Sequence, residues 1–418
     1  MTIVPPDSEL NHQPSQRRVA WLFPSLERGS YWHPLFASFS QQFPQTVIYT
    51  GLWPGFATGF EASFTVQVIG KTKLFYTDKT DSGYSRSYIL PSLSIIPKLL
   101  SHRPNVIFTS AFSLWTLVAI FCKFFMGSRV IVLFDGVSPG EDYLNSGIRI
   151  YPRRIMRWLI DAFVSNSHAG KQYLTQVVWA GSDQVFVQPY LVPDLSALTA
   201  QSPSSPKINS LAPSGRSAEV SATVNTEKPS LNLATAHATK TTVFLCIGQI
   251  ISRKGLHFAL RACALLKAQG YEQFRLQLIG EGPERSALEA LAQEEGLQNC
   301  VQWVGAVNYH QLGEYFRQAD VFIFPTLEDI WGMVVPEAMV FGCPVLCSKW
   351  AGATEIMAAE ENGYIFDPYN VEQLSELMRR FIDNPSLVKR MGDRSKELAT
   401  ALTPQRTAAF FSQLAASV

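Results

Sequence analysis

The chain has 418 residues, 47% of them hydrophobic and 17% charged, with 35 Lys and Arg against 34 Asp and Glu. That is too long for one ordinary core, so two or more domains are expected, and a formal net charge of +1 gives no support to nucleic-acid binding, which normally needs a basic face or a strongly basic domain. The six cysteines lie mostly in apolar runs, and no second pair or histidine cluster completes Cys343 and Cys347 into a metal set, so buried thiols in a reducing compartment are expected and no metal.

Residues 1–17 are polar and read as a disordered leader rather than a signal peptide. Strand candidates then alternate with helical patterns: Val19–Phe23, Thr46–Tyr49, Val66–Ile69, Val106–Phe108, Val130–Phe134, Ala162–Val164 and Val185–Val187, with Leu90–Leu100 and Phe112–Met126 among the helices. Such alternation predicts a parallel sheet, here a first domain over 18–192. The apolar stretch Phe112–Met126 carries Lys123 and falls short of the roughly 20 residues that span a bilayer. A buried helix is the expected reading; a helix lying on a membrane surface is the alternative.

Ser, Ala, Thr and Pro dominate 193–240, with few large apolar residues to bury, which predicts a flexible linker or surface insertion. Thr242–Ile247, Arg275–Ile279, Val301–Val304, Val321–Phe324 and Pro344–Leu346 then mark the strands of a second domain over 241–400. Leu256, Leu260, Cys263 and Leu266 share one helical face ended by Gly270, and Pro283 opens the next helix. The segment 401–418, apolar around Ala408–Leu414, reads as a helix crossing back to the first domain. The predicted fold class is α/β: two Rossmann-like doubly wound domains facing across a cleft.

The most informative run is Pro325–Val345. Pro336 has no N–H and belongs in a first helical turn, which starts a helix near Met333–Val335; Gly342 and Pro344 end it. Asp329 therefore lies on the loop and Glu337 on the first turn, both at the carboxyl end of a strand, where open α/β sheets bind ligands. Free amides at a helix start suit a phosphate, and Gly332 would let a ligand approach the backbone. Carboxylates beside an anion site read hydroxyls, so the pattern points to a nucleotide sugar.

Gly248–Gly255 is a second strand-to-helix junction. Ser252 is the expected N-cap, which places Arg253 and Lys254 in the first helical turn. Cations there oppose the helix dipole unless an anion such as a diphosphate is present; two solvated surface cations are the plainer alternative. Gly280 and Gly282, in Ile279–Arg285, mark a third such junction, although Gly-x-Gly-Pro is also a good turn.

Over Phe244–Asp367 these motifs resemble the family 4 glycosyltransferases, retaining enzymes of the two-domain GT-B architecture. Gly248 through Gly255, Gly280–Glu284, Asp329 to Met339, Ala351–Glu355 and Asn362–Phe366 carry the likeness; the first half matches loosely, around Asp161–Ser167 and Val187–Pro189. The resemblance implies that Arg253 and Lys254 hold a donor diphosphate, that Asp329 contacts the transferred sugar, and that Glu337 takes the ribose hydroxyls. The amides of Gly332, Met333 and Val334 would face sugar and phosphates, beside Gly248, Gly280 and Gly282. Two departures stand out: Gln249 replaces the usual Arg after the glycine, and the first acid is Asp rather than Glu.

On the acceptor side, Gly29 follows the first strand and Asp135 ends another, with a loop cap an equal reading for the latter. Arg149, Arg153, Arg154 and Arg157, interleaved with Ile150, Tyr151 and Trp158, form either a solvated helix face or a site for an anionic acceptor or lipid surface. The implied activity is metal-independent transfer of a sugar from a nucleoside diphosphate donor to a glycan or lipid-linked acceptor, with no cofactor beyond the donor. The implied location is cytoplasmic, with peripheral membrane contact as an option. A non-catalytic nucleotide-sugar-binding or partner-binding protein is the alternative from another class, and an isomerase acting on the nucleotide sugar itself ranks last.

Overall fold

The computed structural model of the chain describes residues 16–26, 31–57, 59–69, 74–76, 87–137, 147–195, 198 and 241–418. Gly29 and most of 1–17 and 193–240 lie outside the described residues. The first domain contains strands β1 (Val19–Ser25), β2 (Thr46–Leu52), β3 (Thr65–Val68), β4 (Leu74–Tyr76), β5 (Ser87–Ile89), β6 (Val106–Ser110), β7 (Arg129–Phe134), β8 (Ala162–Ser165) and β9 (Val185–Val187). Seven of them form a parallel sheet in the order β3-β2-β1-β6-β7-β8-β9, while β4 and β5 pair separately and antiparallel. The second domain is a six-stranded parallel sheet of β10 (Thr242–Ile247), β11 (Phe274–Ile279), β12 (Val301–Gly305), β13 (Val321–Phe324), β14 (Val345–Ser348) and β15 (Gly363–Phe366), ordered β12-β11-β10-β13-β14-β15.

The central strands are apolar on both faces because helices cover both. Trp21 on β1 is fully buried and stacks on Phe108 of β6 at 4.1 Å between ring centres. Phe36 and Phe39, on the helix Trp32–Gln42, meet it edge-on from one side of the sheet. Phe411, from the helix Pro404–Ser417, reaches the same indole at 5.2 Å. Aromatic pairs of this kind add about 0.5–1.5 kcal/mol each beyond their area, so the last helix completes the first domain's core. Arg17 Nη1 reinforces it by donating to the Ala415 carbonyl at 2.6 Å.

Two expectations need correction. The helix Leu114–Met126, capped by Ser113 and closed by Gly127 at φ 69°, buries only Trp115, Thr116, Ala119, Ile120 and Cys122; its opposite side is exposed. Nor is 193–240 linker throughout, because Leu198 is 1% exposed and sits in the second domain's core beside Leu312 and Phe316.

Candidate active site

In the second sheet the strand order reverses between β10 and β13, and the loops that leave these two strands build the site. They are locked together by backbone. Gly255, at φ 62°, lies where an added Cβ would fall 2.1 Å from the Pro325 carbonyl oxygen, so only glycine permits the approach. The Arg253 carbonyl accepts from the Leu327 amide at 2.7 Å and the Thr326 hydroxyl at 3.0 Å.

The local geometry around the cations differs from the expected one. Ser252–Lys254 form a separate 3₁₀ turn, the α-helix begins only at Leu256, and the Ser252 hydroxyl bonds Glu284 instead of capping. The left-handed Gly255 separates turn and helix, so Arg253 and Lys254 stand before the helix and do not oppose its dipole from within. Their side chains converge on Asp329: Lys254 Nζ lies 2.5 Å and Arg253 Nη1 3.3 Å from its Oδ2. Arg253 Nη1 also donates to the Glu328 carbonyl at 3.0 Å. Burial lowers the pKa of Lys254, an effect that the Asp329 charge opposes. Lys254, Gly248, Gln249 and Phe324 line a small hollow at the end of β10.

The Asp329 loop is held from its other side by the segment after β14. The Asp329 amide donates to the Trp350 carbonyl at 3.1 Å, and the Gly352 amide donates back to the Asp329 carbonyl at 3.0 Å. The Trp331 amide reaches Asp329 Oδ1 at 3.3 Å. The helix Val334–Phe341 follows, with Met333 at its N-cap, Glu337 in its first turn and Gly342 at φ 81° closing it. Among the described residues the amides of Gly332, Met333 and Val334 have no protein acceptor, as expected of the first groups of a helix.

The glycines are required by packing. At Gly280 an added Cβ would fall 1.8 Å from the Gly248 carbonyl oxygen, and at Gly282 2.2 Å from that of Ile250. The Gly248 amide is spent on Ile279 and the Gly280 amide on Gly305. At Gly332, φ is 94° and a Cβ would come 2.6 Å from the Phe324 ring. A side chain at Gly332 would therefore collide with Phe324.

Glu337 is 4% exposed and accepts from the Tyr309 hydroxyl at 3.0 Å. Burial lifts its carboxyl to about 8 against the opposing pull of that bond. Tyr309 drew no attention in the sequence, where it stands in an unremarkable loop after β12. Glu328, beside Asp329, is also buried, and its Oε1 has no partner among the described residues.

Across the cleft, Asp135 follows β7 and accepts from the Tyr190 hydroxyl at 2.6 Å. Desolvation by the surrounding protein raises its carboxyl pKa, while the Tyr190 bond lowers it. An added Cβ at the neighbouring Gly136 would come 3.3 Å from Ile330 Cγ2, so Asp135 and the Asp329 loop flank the same gap. Two further contacts close the domains on each other. Trp331 Nε1 donates to the Leu191 carbonyl at 3.0 Å, and the Glu355 carboxylate accepts from the His168 and Ala169 amides at 2.5 and 3.0 Å. Glu355 ends the Ala351–Glu355 segment, but only the fold assigns it this partner. Among the described residues no group of three His, Cys, Asp or Glu could hold a metal ion, and no helix is long and apolar enough to cross a membrane.

Two parallel-sheet α/β domains facing across this gap define the GT-B class of fold. Residues 229–398 match the family described as glycosyl transferases, group 1. An uncharacterised glycosyltransferase of Haemophilus influenzae is 28% identical over 155 residues, 36% of this chain and 42% of that one. The amylovoran biosynthesis glycosyltransferase AmsK of Erwinia amylovora is 30% identical over 142 residues, 32% of this chain and 35% of that one. The match thus spans about two fifths or less of these curated relatives' length. Anabaena HepE, solved in complex with UDP, superposes over 96% of this chain and 100% of its own, with a TM-score of 0.65 at 15% identity.

Proposed function

We propose that the protein is a retaining glycosyltransferase that moves a sugar from a nucleoside diphosphate donor to an acceptor hydroxyl. The observation that carries this reading is the convergence of Arg253 and Lys254 on Asp329, at the loop that delivers three unengaged amides to the start of the helix Val334–Phe341. Two cations and a helix N-terminus suit a diphosphate, and they would stabilise the charge that develops on the leaving group without a resident cofactor. Asp329 would exchange part of its ion pairing for a sugar hydroxyl when donor arrives. Glu337, neutral below about pH 8, can both accept from and donate to ribose hydroxyls. For retention, an oxygen of the leaving phosphate takes the acceptor proton on the face from which the diphosphate departs. Asp135, opposite Asp329, is placed to orient the acceptor.

The UDP and UDP-glucose complexes of HepE support a UDP-sugar donor. The name of AmsK supports an acceptor in glycan biosynthesis, and six buried free thiols suit a reducing, cytoplasmic location. The test is turnover. The full chain is incubated with a panel of nucleotide sugars and acceptors, and nucleoside diphosphate release is followed. Wild type should release it and Lys254→Ala should not. If wild type neither binds nor cleaves any donor, and Lys254→Ala changes nothing, the proposal fails; tight binding without product over a broad acceptor panel would make this a binding protein instead.

A further inference from the structure

The near-neutral total hides a strong asymmetry. Between Ser82 and Ser182 the chain carries ten Lys and Arg against four Asp and Glu. Of these acids Asp135 faces the cleft, and Asp161 is held by Lys123 at 2.6 Å and Arg129 at 2.9 Å. Glu141 and Asp142 lie outside the described residues. Away from the cleft, the described surface of this stretch therefore offers cations and no unpaired carboxylate.

The same stretch forms the helical layer on the side of the first sheet opposite Trp32–Gln42 and Pro404–Ser417. Its outer side is apolar where a surface helix normally turns polar residues to water. On the helix Leu114–Met126 that side carries Leu117, Phe121, Phe124 and Phe125, the last two 69% and 67% exposed. Tyr151, Ile155 and Trp158 make a second stripe, on the helix Gly147–Met156 and the turn after it, and Trp158 is 75% exposed. Lys123 Nζ joins the two elements by donating to the Leu159 carbonyl at 3.0 Å, so the stripes are neighbours. The Arg154 guanidinium lies 3.3 Å from the centre of the Trp179 ring, and that of Arg157 3.8 Å from the centre of the Trp158 ring. A guanidinium stacked on an aromatic face keeps in-plane N–H donors that can meet an anion.

We propose that this face of the first domain docks on an anionic lipid bilayer, with Phe124, Phe125 and Trp158 entering the headgroup boundary and Arg154 and Arg157 meeting lipid phosphates. Aromatic anchors flanked by cations, with no carboxylates among them, match an interfacial surface. A second copy fits poorly, because a two-fold contact would set arginines against arginines with nothing to pair them. The proposal does not depend on sugar transfer.

The test is flotation of the full chain with vesicles of phosphatidylcholine alone, or with about a third phosphatidylglycerol, at physiological salt. The chain should float with the anionic vesicles and not with the neutral ones. The triple variant Phe124→Ser, Phe125→Ser, Trp158→Ser should lose about tenfold or more in partitioning, and Arg157→Gln about fivefold. Removing two charges from the far helix Ser386–Ala399, with Lys389→Gln and Arg390→Gln, should change nothing. UDP-induced thermal shift, read in parallel, should be the same in all variants, which shows that they fold and separates this proposal from the donor site. Absence of flotation with both vesicles would overturn it, as would a triple variant that floats like wild type. A wild-type dimer that the triple variant abolishes, without flotation, would overturn it too.

Discussion

Glu337→Gln is the sharpest probe of the second domain, because it removes a titration while keeping the shape and an oxygen for the Tyr309 hydroxyl. In the unfolded chain the carboxyl ionises near 4.5; in the native site it holds its proton to about 8. Between those values unfolding releases a proton, so the native state loses stability as pH rises, and above 8 the loss stops growing. The gap of about 3.5 pH units, at 1.36 kcal/mol each, is worth about 5 kcal/mol at its limit. The variant has no such dependence. It should lie within about 1 kcal/mol of wild type at pH 5 and exceed it by about 4 kcal/mol at pH 8. Urea unfolding of wild type and variant at pH 5, 7 and 9, followed by circular dichroism, measures the difference. Wild-type and variant curves that stay parallel from pH 5 to 9 would refute the claim that Glu337 is held neutral.

Three other outcomes are expected. Arg253→Ala and Lys254→Ala should each weaken UDP binding about tenfold or more, by calorimetry, since a hydrogen bond to a charged group contributes about 1.5–3 kcal/mol. Gly282→Ala should destabilise the second domain by about 3 kcal/mol, because the new methyl meets a backbone oxygen at 2.2 Å that cannot swing aside; a near-neutral melting shift would mean that the two loops part readily. Glu355→Ala should let the domains separate, seen as a larger radius of gyration in X-ray scattering, with the melting of each domain unchanged.

What could be read from the sequence was local. Strand, glycine and helix succeed one another within a dozen residues, so the placing of Arg253, Lys254 and Asp329 at strand ends and of Glu337 in a first turn needed no tertiary knowledge. Ser252 misled because a serine before a helical pattern reads as a cap, whereas Gly255 had to adopt a left-handed conformation to pass Pro325 and so delayed the helix. At Gly280 and Gly282 the glycine spacing also records two loops crossing, which spacing alone does not reveal. Tyr309 with Glu337, Glu355 with the amides of His168 and Ala169, and Trp331 with Leu191 join residues 28 to 187 positions apart, and such pairs leave no periodic trace. The helix Leu114–Met126 shows a further limit, since an apolar run does not reveal that half of it faces outward.

Phe411 on Trp21, and Arg17 on the Ala415 carbonyl, set an order on the birth of the molecule. The first domain is synthesised first, yet one wall of its core belongs to residues 404–417, so it stays unfinished while the whole second domain emerges from the ribosome. For that interval Trp21, Phe108 and Tyr190 lack the Phe411 ring, and a nascent chain stalled between residues 195 and 404 would present that gap to chaperones. The second domain, whose core draws on Leu198 and on residues 244–399, can fold before its elder is sealed.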